Sequence, residues 1–551
     1  MFSTDRLRSF RSTTTGPCSD SGAPRQGRPW ARMAGIPLAL AVGLGVALGH
    51  AGDAEASGIS AARFGGEHGH PTTDNPTAIY YNPAGIALSD GTHVFIDTTT
   101  ALRWASYDRP GLAPDVVNSQ ATLDIAPGAN DGKATLFNAI AAPFAGVTSD
   151  FGTDFIYGGL AVYFPFGGSA VWDKNPTYIG NDEFPGAQDG TQRWYSIDGS
   201  IRSMYVTTAV GFNIRKIGLS LGVTGSAIRS NVTTIRARNT NGSDDLLDAN
   251  NNLLEGRSFV DVNGWQGGFS VGGIYNLLKK DKLWIGASYT SQPNVSGGMV
   301  LEGTLSNALA LSQPTEADVE LLQSLPDIIR FGLRYRPTNK VELRLFADYT
   351  RWSVLERQCV LDKAQEDRNC DFDNVDSALD DPENFGGNAH PSVVQHLPRY
   401  WKDGGGVRIG ASYWFLPNLE GYIGGGYDSS AVPLETLDPA LMDMNKYTLS
   451  VGARWQIHKR VGAALTSTQV FYATTDTEGR NALNRFQAPT RQPSAEGVYR
   501  QFLQLFGVYV DVKFGFGKWA NKKSLGGGTS NASGGDGSGG GGAKGSLKVG
   551  S

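Results

Sequence analysis

Few residues in this chain are spaced for covalent or metal chemistry. His68 and His70, in "GEHGH", could ligate a metal together, although two lone histidines more commonly serve as hydrogen-bonded spacers. "SDDLLDANNNLLEG" (243–256) has the carboxylate density of a calcium loop but lacks the glycine at its sharp turn. The acidic run "DFDNVDSALDDPENFGG" (371–387) is either a solvated loop or a place where divalent cations bridge to anionic lipid head groups. There is no zincin helix, phosphate loop or Gly-x-Ser-x-Gly elbow, so no catalytic residue, metal ligand or cofactor is assigned. A net charge of −5 without a concentrated basic face argues against nucleic acid as partner. The remaining chemistry is non-covalent, and it starts in "DNPTAIYYNPAGIALSDG" (74–91). Two turn-forming pairs, Asn75-Pro76 and Asn82-Pro83, flank an apolar stretch there, because proline fixes φ and pushes the residue before it out of the helical region.

The elements that position these residues begin with an export signal. Residues 1–56 combine a basic, Ser/Thr-rich lead, the apolar run Ile36–Leu48 and a small-x-small site at Ala54–Ala56, which predicts cleavage before Ser57. The apolar run is too short to span a bilayer as a helix, and translation starting at Met33 is an alternative. Beyond Ser57 only Cys359 and Cys370 remain, eleven positions apart in one polar segment. In an exported protein they predict a local disulfide.

Period two dominates the rest. In "VELRLFADYTRW", Val341, Leu343, Leu345, Ala347 and Tyr349 share one face, while Glu342, Arg344, Phe346 and Asp348 share the other. "YTLSVGARWQIH" and "FGVYVDVKFGF" repeat the pattern. Strands are expected at 91–105, 134–148, 153–172, 196–214, 216–234, 258–278, 281–306, 326–337, 340–354, 404–416, 419–429, 445–457, 460–474 and 500–517. Many exceed the usual length of about five or six residues and suit a tilted membrane strand of roughly 9–11. Their connections alternate short ("RK", "PTNK", "LPNL") with long (235–257, 355–403), as in outer-membrane barrels with tight periplasmic turns and long outer loops. The expectation is an all-β, antiparallel transmembrane barrel of about 14 strands over 91–517, both termini periplasmic. Residues 518–551, rich in Gly and Ser, are expected to form a flexible periplasmic tail. Trp284, Trp352, Trp414 and Trp455 fall near strand ends and fit interfacial girdles.

Such a barrel is too wide for its own side chains to fill, so residues 57–90 are expected to fold into the lumen as a plug. Here the chain resembles a known family. "SAARFGGEHGHPTTDNPTAIYYNPAGIALSDG" is similar to the N-terminal hatch of the FadL/TodX outer-membrane transporters of hydrophobic compounds, whose Asn-Pro-Ala motif is matched by Asn82, Pro83 and Ala84. "LPDIIRFGLRYRP", "ELRLFADYTRWS" (Asp348, Tyr349, Trp352, Ser353) and "GGGYDSSAVP" carry the resemblance to about Phe516. It implies a fourteen-stranded barrel in which outer loops capture an apolar solute, the hatch gates it, and it leaves sideways at an inward kink of the third strand. The default cargo is long-chain fatty acids, with aromatic hydrocarbons the alternative. Outer-membrane lipids and the barrel assembly machinery are the implied partners.

Within the third strand, Pro165 removes a ladder donor and Gly167-Gly168 relax the backbone, which predicts local loss of pairing. A harmless bulge near the rim is the alternative, and Gly158-Gly159 are a second location for the kink. In 307–325 the spacing of Val319, Leu321, Leu322 and Leu325 predicts an amphipathic helix, either a landing site for substrate or packing on the rim. The rival to transport is a structural or surface-binding barrel, favoured by the large acidic loop with its two cysteines.

Overall fold

The computed structural model describes residues 63–111, 125–278, 281–309, 313–372 and 389–515. The expected signal segment, residues 57–62, the tail from 518, Phe516 and most of the acidic run lie outside them.

The described strands are β1 (Thr92–Arg109), β2 (Gly132–Ser149), β3 (Ile156–Val171), β4 (Asp198–Ile214), β5 (Leu219–Arg238), β6 (Gly256–Asn276) and β7 (Leu283–Thr290). They continue as β8 (Gly298–Ala308), β9 (Thr315–Ser324), β10 (Ile328–Thr338), β11 (Val341–Thr350), β12 (Arg357–Asp362) and β13 (Val393–Pro398). The series ends with β14 (Gly404–Leu416), β15 (Leu419–Asp428), β16 (Lys446–His458), β17 (Val461–Tyr472), β18 (Thr475–Asp476) and β19 (Val498–Phe514). All pair antiparallel in one sheet, and β1 pairs with β19 from Thr92↔Phe514 to Asp108↔Val498, which closes it. Four wall strands are built in two pieces: β7 with β8, β9 with β10, β11 with β12 and β13 with β14. With β18 extending β17, the wall is a closed barrel of fourteen strands.

The burial pattern is that of a membrane barrel. Leu343, Leu449, Val451, Trp455 and Ile457 face outward and are exposed, whereas Glu342, Arg344, Arg330, Arg334 and Glu420 face inward and are buried. The same alternation in a soluble sandwich would place the apolar set inside. No described helix is long and apolar enough to cross a membrane; the strands do so.

Three expectations are corrected. The segment around Val319 is strand β9 and not a helix, because β8 and β12 offer it ladders on both edges. Tertiary pairing there outweighs the weak helical spacing. The seventh wall strand is interrupted at 291–297, where Asn294 and Val295 adopt positive φ beside Pro293. Trp284 and Trp352 are not girdle residues: both are buried, and Arg334 stacks 4.2 Å from the Trp284 ring centroid. Trp455 and Trp265 do face outward.

Candidate functional site

The N-terminal segment packs against the inward faces of the wall strands. Asn75 Oδ1 accepts from Thr77 N (2.9 Å) and Thr77 Oγ1 (2.5 Å), a side-chain turn that launches the helical turn Ala78–Tyr81 after Pro76. Asn82 then ends one helix and starts another. Its Oδ1 accepts from Ala84 N (3.1 Å), capping the 3-10 turn Pro83–Leu88, with Pro83 in the first position where a missing N–H costs nothing. Its Nδ2 donates to Pro71 O (2.8 Å), Gly273 O (3.1 Å) and Ala287 O (3.2 Å), binding the segment to itself and to the register pair Gly273↔Ala287 of β6 and β7. The segment sits this close because the wall has no side chains there. Gly211, Gly222 and Gly272 are consecutive register partners on β4, β5 and β6, and Gly286 pairs with Gly332 across β7 and β10. A Cβ at Gly222 would enter Pro83, one at Gly272 the Asn82 amide, and one at Gly332 would lie 3.0 Å from Pro71 Cδ.

The segment has two unlike faces. Towards β1–β4 it presents Phe64, Ile79 and Tyr80, with the Phe64 ring in edge contact with Phe144 and Tyr163 and the Tyr80 ring with Tyr163. Towards β10–β16 it is ionic: Asp74 pairs with Arg334 (2.9 Å), Arg63 with Asp428 (3.2 Å), and Arg344 Nη1 donates to His68 Nδ1 (2.9 Å). His68 Nε2 lies 2.9 Å from Glu420, yet burial, with Arg454 and Arg344 nearby, holds its pKa well below the ordinary value. Burial does the same to His70, whose Nδ1 accepts from Thr72 N (3.2 Å). Burial thus favours the neutral form of both histidines where they stand, and Asp244 of the calcium-like loop pairs with Arg109 at 2.8 Å.

The wall itself opens beside the apolar face. β2 and β3 pair only from Ser149↔Gly158 to Phe144↔Tyr163, although β2 stays paired with β1 over its full length. Gly158 and Gly159 lie in regular ladders on both edges. Pro165 sits in a bulge against β4 between Tyr163 and Phe166, where one extra residue reverses which side chains face inward. Past it, Gly167 and Gly168 keep β4 as partner but have none on β2. Backbone-to-backbone hydrogen bonding resumes where Asp173 N donates to Thr135 O (2.9 Å). Of the two kink positions weighed from sequence, Pro165 is where the ladder is lost.

Above the segment an aromatic chain crosses the lumen, with successive ring centroids Trp401–Trp352 4.9 Å, Trp352–Phe166 6.3 Å, Phe166–Tyr205 6.2 Å, Tyr205–Tyr163 5.5 Å and Tyr163–Phe144 4.8 Å. It ends at the last β2–β3 pair. Over it lies a cavity whose apolar lining includes Ile201, Val232, Val260, Leu321 and Met442. The same cavity reaches Gly168 and Ser169 on the unpaired part of β3. Among the leucine-rich set, Leu321 reaches this cavity, Val319 and Leu325 are buried inward, and Leu322 points the other way, half-buried.

Cationic residues that the sequence did not single out complete the lining. Arg399 is bound to Asp438 (2.7 Å) and Gln358 (2.9 Å). Arg236 is buried and donates to Gln492 Oε1 (2.9 Å), with no carboxylate paired to it among the described residues. Arg103 also lines the cavity. An arginine on the inward face of an alternating strand carries no local mark that separates it from a solvated one, which is why sequence reasoning passed it over. The outer mouth is covered by a second apolar core with Trp194, Tyr195, Leu483 and Phe486, braced by Arg193–Glu255 (2.9 Å) and by the Cys359–Cys370 disulfide.

Comparison with known proteins agrees with this architecture. The chain matches the fold of a Pseudomonas aeruginosa FadL homologue, with a TM-score of 0.59 at 16% identity over 84% of this chain and 99% of that one. It also matches the Pseudomonas putida toluene transporter TodX, with a TM-score of 0.50 at 13% identity over 83% and 97% of the two chains. No curated protein sequence matches significantly. The model of the family described as "Outer membrane protein transport protein (OMPP1/FadL/TodX)" matches residues 46–506. The chain therefore belongs to the FadL/TodX family of outer-membrane transporters of hydrophobic compounds.

Proposed function

We propose that the protein carries long-chain fatty acids passively through the outer membrane. The cargo enters the cavity from the outer loops, crosses the aromatic chain and leaves sideways between β2 and β3, with Asn82-Pro83-Ala84 as the gating hatch. The observation that carries the choice of cargo is Arg236: a buried cation held, among the described residues, by one neutral acceptor, in the same cavity as the apolar side chains of Ile201, Val232, Val260, Leu321 and Met442. A carboxylate head on an alkyl tail satisfies both, and charge-assisted bonds to guanidinium are about twice as strong as neutral ones. Lateral exit follows from the tail. Each methylene costs roughly 0.8 kcal/mol to return to water, so a sixteen-carbon chain would lose on the order of 12 kcal/mol if released into the periplasm. Interruption of the β2–β3 ladder supports that route.

A second reading, small aromatic hydrocarbons, is favoured by the Trp401–Trp352–Phe166 chain, which would bind a bare ring without Arg236. The two are separated by measuring uptake of oleate, methyl oleate and toluene in cells expressing the wild type or Arg236→Gln. A fatty-acid channel loses oleate uptake by roughly 10- to 100-fold in the variant while methyl oleate is unaffected. Equal oleate uptake by both proteins, with toluene faster than either lipid, overturns the fatty-acid reading.

A further inference from the structure

The outward face of the wall carries a groove that transport does not use. It lies across β5, β6, β8 and β9, and its lining includes Arg229, Asn263, Trp265, Glu302, Asp318 and Lys363. Trp265, 57% exposed, marks a boundary on this face. Towards the periplasm the outward side chains of β5 and β6 are hydrocarbon, with Leu221, Val223 and Val271 exposed. Towards the outer loops the same face of β6 turns polar at Asn263 and Asp261. The groove therefore stands at the height of the outer head groups, where an indole is favoured.

Its polar groups fall into two sets. Arg229 is the register partner of Trp265, lies 5.4 Å from that ring centroid and donates to Asn263 Oδ1 (2.8 Å). No carboxylate is paired with it among the described residues. On the neighbouring strands Glu302 and Asp318 are exposed acceptors. Lys363 leans over them from the end of β12, its N donating to Asp318 O (2.9 Å) and its Nζ to Glu302 (2.8 Å).

We propose that this groove seats the head group of a phosphorylated glycolipid of the outer leaflet. Arg229 takes the phosphate, which suits its planar fork of donors. Asn263, Glu302 and Asp318 accept from sugar hydroxyls, and the acyl chains run down the exposed hydrocarbon below Trp265. A lipid with phosphate but no sugar would satisfy Arg229 and meet two carboxylates with nothing to donate to them. A soluble partner would have to cover a face that continues directly into the lipid-facing belt. The site is independent of the cargo in the lumen.

The test titrates the full chain, delipidated in detergent, with diphosphoryl lipid A, its dephosphorylated form and phosphatidylglycerol, counting bound lipid by native mass spectrometry. The wild type should bind diphosphoryl lipid A about tenfold more tightly than either other lipid. Arg229→Gln should remove that advantage over the dephosphorylated form. Asp318→Ala should weaken lipid A several-fold, whereas attraction to phosphate charge alone would grow stronger once a carboxylate is gone. Lys459→Gln, at an exposed periplasmic turn, should bind as the wild type does. If Arg229→Gln fails to yield a heat-modifiable barrel, Trp265→Leu should show the loss instead. Equal lipid A affinity in the wild type and the groove variants overturns the proposal. So does tighter lipid A binding by Asp318→Ala, an equal loss in Lys459→Gln, or phosphatidylglycerol binding as tightly as lipid A.

Discussion

The side-chain amide of Asn82 fills the space directly over Gly272 of β6, where even a methyl group would meet its Oδ1. From there its Nδ2 reaches the carbonyls of Gly273 and Ala287. Segment and wall are thus complementary at the level of single atoms: a missing side chain on one, a polar side chain with its hydrogen bonds satisfied on the other. Substituting Gly272 by Val should therefore unseat the segment without disturbing the ladder, since overpacking of this kind costs about 1–3 kcal/mol. Single-channel conductance in planar bilayers should rise, with heat-modifiable mobility unchanged; conductance at the wild-type level would show that the glycine belt does not seat the plug.

Asn82→Ala removes the cap on Pro83–Leu88 and orphans buried acceptors together. A lost cap costs about 1 kcal/mol and each unsatisfied buried group about 1–3 kcal/mol. Limited proteolysis from the periplasmic side should cut within the N-terminal segment of the variant well before the barrel is attacked. Equal cleavage rates in variant and wild type would argue that the asparagine is dispensable.

Docking of the segment should depend on pH through His68 and His70. Both are held neutral in place, by burial first and then by Arg454 and Arg344 around His68 and by Arg344 and Arg334 around His70. Once released, each would titrate near its ordinary value of about 6.5. Below that pH the released segment binds protons that the docked one does not, so docking is at full strength above about 6.5 and weakens as pH falls, by up to about 1.4 kcal/mol per unit per histidine. Protease sensitivity of the segment should climb from pH 7.5 to 5, and the double variant His68→Gln, His70→Gln should flatten the curve. A wild-type profile that is already flat contradicts the assignment.

The Cys359–Cys370 bond ties the residue just before the acidic run to β12, which pairs with β9 on one edge and β13 on the other. Closing a loop of this size removes about 3 kcal/mol of chain entropy from the opened state. Replacing both cysteines by serine should open the β12–β13 extension at lower temperature, read by hydrogen exchange at Val360 and Gln395, with exchange in β1 and β19 unchanged. Equal exchange in the two proteins would mean that the hairpin is held by its ladders alone.

Much of this was legible in the residues. Long alternating strands joined by unequal loops define the barrel, and Leu343 against Glu342 already states that charge and hydrocarbon lie on opposite faces. Asn82-Pro83-Ala84 and Pro165 were visible because proline constrains the backbone locally. What stayed hidden depends on pairing at a distance. β9 has helical spacing that only its neighbours override; the acceptors of Asn82 lie far along the chain, and Arg236 gains meaning only where the closed wall brings β3, β4, β5 and β6 around one cavity.

The central claim is that cargo leaves through the seam between β2 and β3. Phe137→Cys with Val171→Cys places thiols on the same, outward face on the two sides of that seam. Joining them with a short bifunctional reagent in intact cells should abolish oleate uptake, and a cleavable reagent should restore it on reduction, with either single-cysteine variant unaffected throughout. Undiminished oleate uptake through a fully cross-linked barrel would contradict lateral exit outright.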